Sequence, residues 1–362
     1  MDTDSFFLEV TEVVRETEDA SSIVFSVPDE AADLFAFAPG QFLTLGVPSE
    51  ETGLVARCYS ICTPPGEPLT VTVKRTVGGY ASNWLNDNLR AGDRVRVLPP
   101  SGIFTPKDWS ADLLLFAGGS GITPILSIVR TAMRDHSGRV VLFYANRDER
   151  SVIFAEALTA LAAEHPGRLQ VFHWLESVQS LPSEAQLREF ASAYSSWTSY
   201  CCGPAPYMSA VSNALRALDF PRARRHQEKF VSLGGNPFGD VEEVLAAQAS
   251  LAEADDADEA DEAPPAGPTG PVKVEVELDG EQHVFDDWQA GEKLLDFLES
   301  KGVKAPYSCR EGECSACAIR LVSGEVTMLR NDVLDAEDLA EGIRLGCQSV
   351  PASEETVKVS YS

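Results

Sequence analysis

Positive charge is scarce in this sequence. Its 362 residues carry 29 Lys and Arg against 56 Asp and Glu, a formal net charge of −27. Such a chain repels nucleic-acid phosphates, so DNA and RNA are not expected as partners. Long apolar runs are missing too. None approaches the ~18–20 residues needed to span a bilayer, so no membrane segment is expected. The opening "MDTDSFFLEV" has neither a basic nor an apolar leader region, and no signal peptide is expected. The cytoplasm is the expected compartment. Structural disulfides are uncommon there, so the eight cysteines read as thiols, cluster ligands or reactive groups.

What is present is organised in blocks. Residues 1–107 read as six short strands with Pro and Gly between them, from "FFLEVTEVVRET" to "RVRVLPP". That spacing predicts a six-stranded antiparallel β-barrel. One helical stretch, "YASNWLNDNL", follows Gly78 and Gly79. Over 108–236 the rhythm becomes strand–helix alternation. "LLLFAGG", "VVLFYAN", "LQVFHWL" and "SYCCGP" alternate with stretches such as "TPILSIVRTAMRDH" and "VIFAEALTALAAEH". This predicts an α/β domain with a parallel sheet. Residues 237–270 hold "EADDADEADEAPPAGPTG", and 240–270 contain ten acids and no base. They read as an acidic flexible linker. Residues 271–362 form a third, α+β unit: a hairpin "VKVEVELDGEQHVF", a helix "EKLLDFLES", a strand "CAIRLVSGEV" and a closing strand "TVKVSY".

The third unit carries the sharpest signal. Cys309, Cys314 and Cys317 lie in "YSCREGECSAC", and Cys347 follows, giving C-x4-C-x2-C-x29-C. Zinc ribbons usually pair two C-x2-C knuckles, which this is not. The spacing is that of a 2Fe–2S centre, whose two irons take four thiolates. Small residues let backbone N–H groups approach the sulfurs, and Gly312, Ser315, Ala316 and Ala318 supply them. The stretch "APYSCREGECSACAIRLVSGEV" with "GIRLGCQSVP" resembles plant-type ferredoxin domains, which implies a β-grasp fold.

In the barrel region, "RCYS" offers Arg57, Tyr59 and Ser60. An Arg can neutralise a dinucleotide diphosphate, a Tyr can stack on an isoalloxazine, and a Ser can hydrogen-bond near its reactive nitrogen. Two residues apart on a strand also simply share a face. The Gly78-Gly79 helix start could hold a phosphate on its amides. With "APGQF" before and "GGYASNWL" after, these motifs resemble the ferredoxin–NADP reductase family. The resemblance implies that Arg57, Tyr59 and Ser60 hold FAD, with Gly79, Tyr80, Ala81 and Ser82 near the diphosphate. It further implies backbone contacts from Val73 and Lys74.

"LLLFAGGSGITP" places a glycine turn between a strand and a helix, without the third glycine of the common dinucleotide fingerprint. In the resembling family that turn holds the nicotinamide coenzyme, which implies roles for Gly119, Ser120, Gly121 and Thr123. Cys202, Gly203 and Pro204 match the family's C-G-P motif, and Glu228 and Phe230 its E-x-F. The resemblance places Tyr59, Ser60, Cys202 and Glu228 at the reacting centre. Cys58, Cys62 and Cys201 read as buried apolar thiols. Arg147 and Arg150 could clamp a 2′-phosphate or contact the adenosine, so NADH and NADPH both stay open, with the resemblance leaning to NADH.

The order of barrel, nucleotide domain and C-terminal ferredoxin resembles reductase components of bacterial oxygenases. Those of 3-ketosteroid 9α-hydroxylase and phenylacetyl-CoA epoxidase are among them. "VARCYS", "TVKRTVGGYASNWL", "YANRDERSVIF" and "SCREGECSACA" carry that likeness. It implies an NAD(P)H-dependent reductase feeding a separate terminal oxygenase, expected to be a Rieske non-haem iron protein. The oxygenase itself is not here: the five His form no Cys-x-His pair. A reductase for an aromatic-ring or acyl-CoA oxygenase is the alternative, and a passive electron carrier or redox sensor the rival of another class.

Overall fold

A computed structural model describes residues 5–49, 53–229, 238, 268, 270–278, 280–307, 310, 312, 315–334 and 336–361. The expected linker therefore lies outside the described residues, apart from 238, 268 and 270. So do Phe230, Cys309 and Cys314. The chain divides into two compact units. One comprises Phe6–Val47 and Arg57–Phe230; the other comprises Met1–Ser5, Pro48–Ala56 and Val231–Ser362.

The first unit begins with β1 (Phe6–Thr17), β2 (Ala20–Ser26), β3 (Phe42–Ser49), β4 (Gly53–Ser60), β5 (Leu69–Lys74), helix α1 (Tyr80–Asn88) and β6 (Arg94–Ser101). The strands form one sheet in the order β4-β3-β6-β1-β2-β5. An antiparallel bridge from Ile61, just past β4, to Val71 of β5 joins the two edges. Closure removes both exposed edges. The inner face is apolar, with Leu8, Val10, Leu43, Leu45, Val71, Val73 and Val97 all fully buried.

The chain then runs through β7 (Leu113–Gly118), α2 (Ile122–Asp135), β8 (Val140–Asn146), α3 (Ala155–Glu164), β9 (Leu169–Leu175), α4 (Glu176–Gln179), α5 (Glu184–Ser192), β10 (Thr198–Cys202), α6 (Ala205–Arg216) and β11 (Arg225–Glu228). The sheet order is β11-β10-β7-β8-β9, and every pairing is parallel. Central β7 is buried along its whole length, which is why "LLLFAG" reads as one apolar run. The chain moves outward from β7 to β9, then returns to the other side of β7 as β10. That reversal opens a crevice at the carboxyl ends of β7 and β10, where ligands of such sheets bind.

Two features differ from expectation. Helix α3 starts at Ala155 rather than Val152, because Phe154 takes a left-handed conformation (φ +62°) while Ile153 is fully buried in the core. The motif "HQEKF" begins inside a fifth strand, β11, which the alternation pattern does not reveal because it is only four residues long.

In the second unit, β12 (Val272–Leu278), β13 (Glu281–Trp288), β14 (Ala318–Ser323), β16 (Ile343–Leu345) and β18 (Val357–Ser360) make a mixed sheet ordered β13-β12-β18-β14-β16. The helix Leu294–Ser300 lays Leu294, Leu295, Phe297 and Leu298 on it, against fully buried Trp288 and Val274. The expected strand "CAIRLVSGEV" breaks at Gly324 (φ +83°), where a side chain would collide with the Thr356 carbonyl. Beyond the break, β15 (Val326–Met328) leaves the main sheet and pairs with β17 (Ser349–Pro351). Among the described residues, no helix is long and apolar enough to cross a membrane.

Candidate flavin, nicotinamide and cluster sites

At the end of β4, Arg57 and Tyr59 are half-buried and Ser60 is buried. Desolvation raises the Tyr59 phenol's pKa, with Arg57 opposing. The Ser60 hydroxyl has no hydrogen-bond partner. A buried hydroxyl left so costs about 1–3 kcal/mol, and a polar flavin edge would offset that. The residues present thus fit the cofactor.

The loop before α1 carries the residues expected near the diphosphate. Gly78 takes φ +73° with open space around it, and Gly79 caps the helix without a side-chain hydrogen bond. The Ser82 hydroxyl oxygen accepts from the Thr76 N–H at 3.0 Å and folds the loop back. Ala81 is buried and Tyr80 exposed. Asn86 donates to the Val73 carbonyl at 3.1 Å and so fixes α1 on β5. The Lys74 ammonium is ion-paired with Asp19 at 3.8 Å, and lies 3.7 Å from where a Gly119 side chain would begin. The barrel therefore reaches the nicotinamide turn directly. Ser127 adds a second tie, donating to the Thr63 carbonyl at 2.7 Å.

The turn itself, Gly119–Gly121, is a single 3-10 turn between β7 and α2. Ser120 is half-buried; Thr123 is buried and donates to the Ser120 carbonyl at 3.1 Å. Gly121 is forced by protein rather than by ligand: a Cβ there would lie 2.1 Å from the Cys202 carbonyl oxygen and 2.7 Å from the Gly203 nitrogen. Gly118, to which no sequence motif points, would meet Pro204 at 2.9 Å, and Gly203 would meet Gly118 at 3.0 Å. The C-G-P segment is clamped onto the glycine turn.

Cys202 ends β10 fully buried, and Glu228 is its register partner on β11. Burial pushes the Glu228 carboxyl up to about 8. Burial, then Glu228, raises the Cys202 thiol. Both groups are neutral at pH 7. Cys201 points to the opposite core face, as strand alternation requires. Cys62 is buried with its thiol toward Thr70 and Thr72, whereas Cys58 is only half-buried, its Sγ 3.5 Å from the Thr44 hydroxyl. Arg147 is exposed and ion-paired with Asp148 (3.1 Å) and Asp19 (3.8 Å). Arg150 is also exposed.

In the second unit, β14 and β16 pair antiparallel with Ala318 opposite Leu345. Cys317 precedes the first and Cys347 follows the second, so the register brings the remote cysteine beside the loop. The Gly346 N–H donates to the Cys317 carbonyl at 2.9 Å, and Cys317 and Cys347 are both buried. Arg310, next to Cys309 in sequence, is an unforeseen anchor. It is 5% exposed, contacts Asp296 at 3.3 Å and Glu299, and lies 4.0 Å from the Tyr307 ring centre. Its carbonyl accepts from the Gln348 side chain at 2.6 Å, tying the loop to the residue after Cys347. Two buried cysteines brought together on such a frame suit a 2Fe–2S cluster. Cys309 and Cys314 lie outside the described residues.

Residues 115–213 match the oxidoreductase NAD-binding domain, and residues 276–352 the 2Fe-2S iron-sulfur cluster binding domain. The chain is 51% identical, over 97% of its length and 95% of the relative's, to the ferredoxin reductase component of 3-ketosteroid-9-alpha-monooxygenase from Rhodococcus rhodochrous. The chain belongs to this reductase family. It is an oxidoreductase with nicotinamide- and cluster-binding domains. A component of the 1,2-phenylacetyl-CoA epoxidase of Escherichia coli is a more distant relative, 31% identical over 97% of this chain and 96% of its own. The fold matches phthalate dioxygenase reductase (TM-score 0.57, 23% identity, 99% and 98% of the two chains). The FAD/NAD-binding domain of a Vibrio cholerae nitric oxide dioxygenase matches over 64% of this chain and 99% of its own (TM-score 0.53, 27% identity). The expected fold class and the expected cofactors, FAD, a nicotinamide coenzyme and a 2Fe–2S cluster, agree with these findings.

Proposed function

We propose that this reductase oxidises NADH and delivers electrons singly to a separate terminal oxygenase, a Rieske non-haem iron protein that hydroxylates a 3-ketosteroid. The observation that carries the reading is the 51% identity along nearly the whole of both chains. FAD, when bound, accepts two electrons at once from the nicotinamide and passes them on one at a time to the cluster. The chain's residues do the rest. Arg57 would offset diphosphate charge, Tyr59 would cover the ring, and Ser60 would hydrogen-bond its edge. The clamped C-G-P segment and the Gly119–Gly121 turn orient the nicotinamide at the sheet crevice. Neutral Glu228 offers a hydrogen-bond donor there without adding fixed charge. Phe230 closes the E-x-F motif. Arg147 supports NADH over NADPH, because a 2′-phosphate must compete with Asp148 and Asp19 for it.

An anaerobic titration tests this. NADH should bleach the flavin band and then the iron–sulfur absorbance, at far lower concentration than NADPH. A holoprotein that stays oxidised with both would instead be a carrier or sensor. Steroid hydroxylation should follow when the purified reductase is mixed with a 3-ketosteroid oxygenase component; turnover only with an aromatic-ring or acyl-CoA oxygenase would move it to that branch.

A further inference from the structure

The C-terminal strand ends beside the cluster ligands. Tyr361 follows β18, and its N–H donates to the Glu277 carbonyl at 2.9 Å, which sets the ring's position. The ring packs on the core that contains Cys317 and Cys347. Its hydroxyl oxygen is buried and has no hydrogen-bond partner among the described residues. Gly346 makes room for it: a Cβ at that position would lie 2.8 Å from the Tyr361 hydroxyl and 3.2 Å from the Cys317 carbonyl. So the phenol lies over the residue before Cys347, a few ångströms from the chain around Cys317. The described protein atoms give it no acceptor, yet a buried unpaired hydroxyl is costly.

We propose that the Tyr361 hydroxyl donates a hydrogen bond to a sulfur of the 2Fe–2S cluster and thereby raises the cluster's reduction potential. The inference rests on the cluster reading above. A phenol keeps its proton at neutral pH, its ordinary pKa being about 10. It is therefore a donor. Reduction adds one electron, supplied by the proposed reaction, and increases negative charge on the sulfurs. A fixed O–H dipole aimed at them stabilises the reduced state more than the oxidised one. No bond breaks, and the proton stays on oxygen. Tyr361 is thus a positioning residue that sets how readily the cluster accepts an electron.

The test uses the full-length holoprotein and follows the cluster rather than turnover. The midpoint potential is measured by reductive titration with detection of the reduced cluster's paramagnetic signal. Tyr361→Phe keeps the ring and removes the donor. It should lower the potential by the equivalent of a roughly tenfold change in the one-electron equilibrium constant, ~59 mV. It should also abolish a deuterium-exchangeable proton coupling to the reduced cluster of the unaltered protein. Site-specific 3-fluorotyrosine at Tyr361, nearly the same shape but a stronger donor, should shift the potential upward. If Tyr361→Phe fails to hold a cluster, the fluorinated form and the coupling still decide the matter. An unchanged potential in both forms, or a coupling that survives Tyr361→Phe, overturns the proposal. A chain that shows no cluster signal at all would instead refute the cluster reading.

Discussion

Two glycine turns of the first unit look alike in sequence, yet one glycine of each, Gly78 and Gly121, is required for a different cause. "GGY" before α1 and "GGSG" after β7 both join a strand region to a helix. At the first, Gly78 faces open space with φ +73°. Only backbone geometry demands a glycine there. At the second, Gly121 has an ordinary φ but no room, because Cys202 and Gly203 are packed against it. The first turn is folded on itself, its Gly79 N–H donating to the Thr76 carbonyl at 3.0 Å. The second is a joint between two loops that together form the crevice wall. A glycine-rich motif can therefore record a ligand's approach, a backbone conformation, or one segment packed on another.

The widest separation between the two turns should come from Gly121→Ala. Its Cβ would have to displace backbone rather than a side-chain tip, so β10 must shift away from the turn. Overpacking of this kind costs about 1–3 kcal/mol or more. NADH affinity should fall at least roughly tenfold, the equivalent of ~1.4 kcal/mol, while FAD content stays near that of the parent. Both are read by coenzyme titration and flavin absorbance. Unchanged NADH binding would mean that the clamp between the turn and C-G-P is slack.

Glu228, the register partner of Cys202 on the neighbouring strand, is buried, which gives a pH signature. Its carboxyl titrates at about 8 when folded against 4.5 ordinarily. Between those values the unfolded chain has released a proton that the folded chain keeps. Stability contributed by this group is therefore lost as pH rises from about 4.5 to about 8, and is level above that. Glu228→Gln removes the slope. Its melting temperature relative to the parent should climb through that window, by on the order of ten degrees, and then stay constant. A gap that does not change between pH 5 and 9 would show Glu228 to be ionised throughout.

Much of this was legible in the sequence. Strands β1, β8 and β9 appear at their full length, because apolar residues mark them plainly and turn residues bound them. The cysteine spacing identified the cluster unit. Less legible were features that arise only when distant segments meet. Gly121 is explained by Cys202, some eighty positions away. Asp19, which pairs Lys74 with Arg147, lies in an unremarkable tight turn. Tyr361 gains meaning only from Gly346. The sequence does hold a clue to Arg310, the one base between two cluster cysteines, but its partners Asp296 and Glu299 belong to a helix whose inward face no spacing rule ties to that loop.

The smallest effect should come from Gly78→Ala, which isolates the conformational term. With nothing within 4 Å of the new Cβ, the cost is that of holding a side chain at φ +73°, about 1 kcal/mol. Gly78→Asn should recover part of it, since Asn tolerates the left-handed region better than Ala. FAD and NADH affinities of the alanine variant should each change less than about threefold, because its new Cβ meets no atom within 4 Å. Calorimetry of the holoprotein alongside both titrations checks this. If Gly78→Ala instead empties the flavin site while Gly121→Ala leaves coenzyme binding intact, the assignment of conformation to the first turn and packing to the second is reversed.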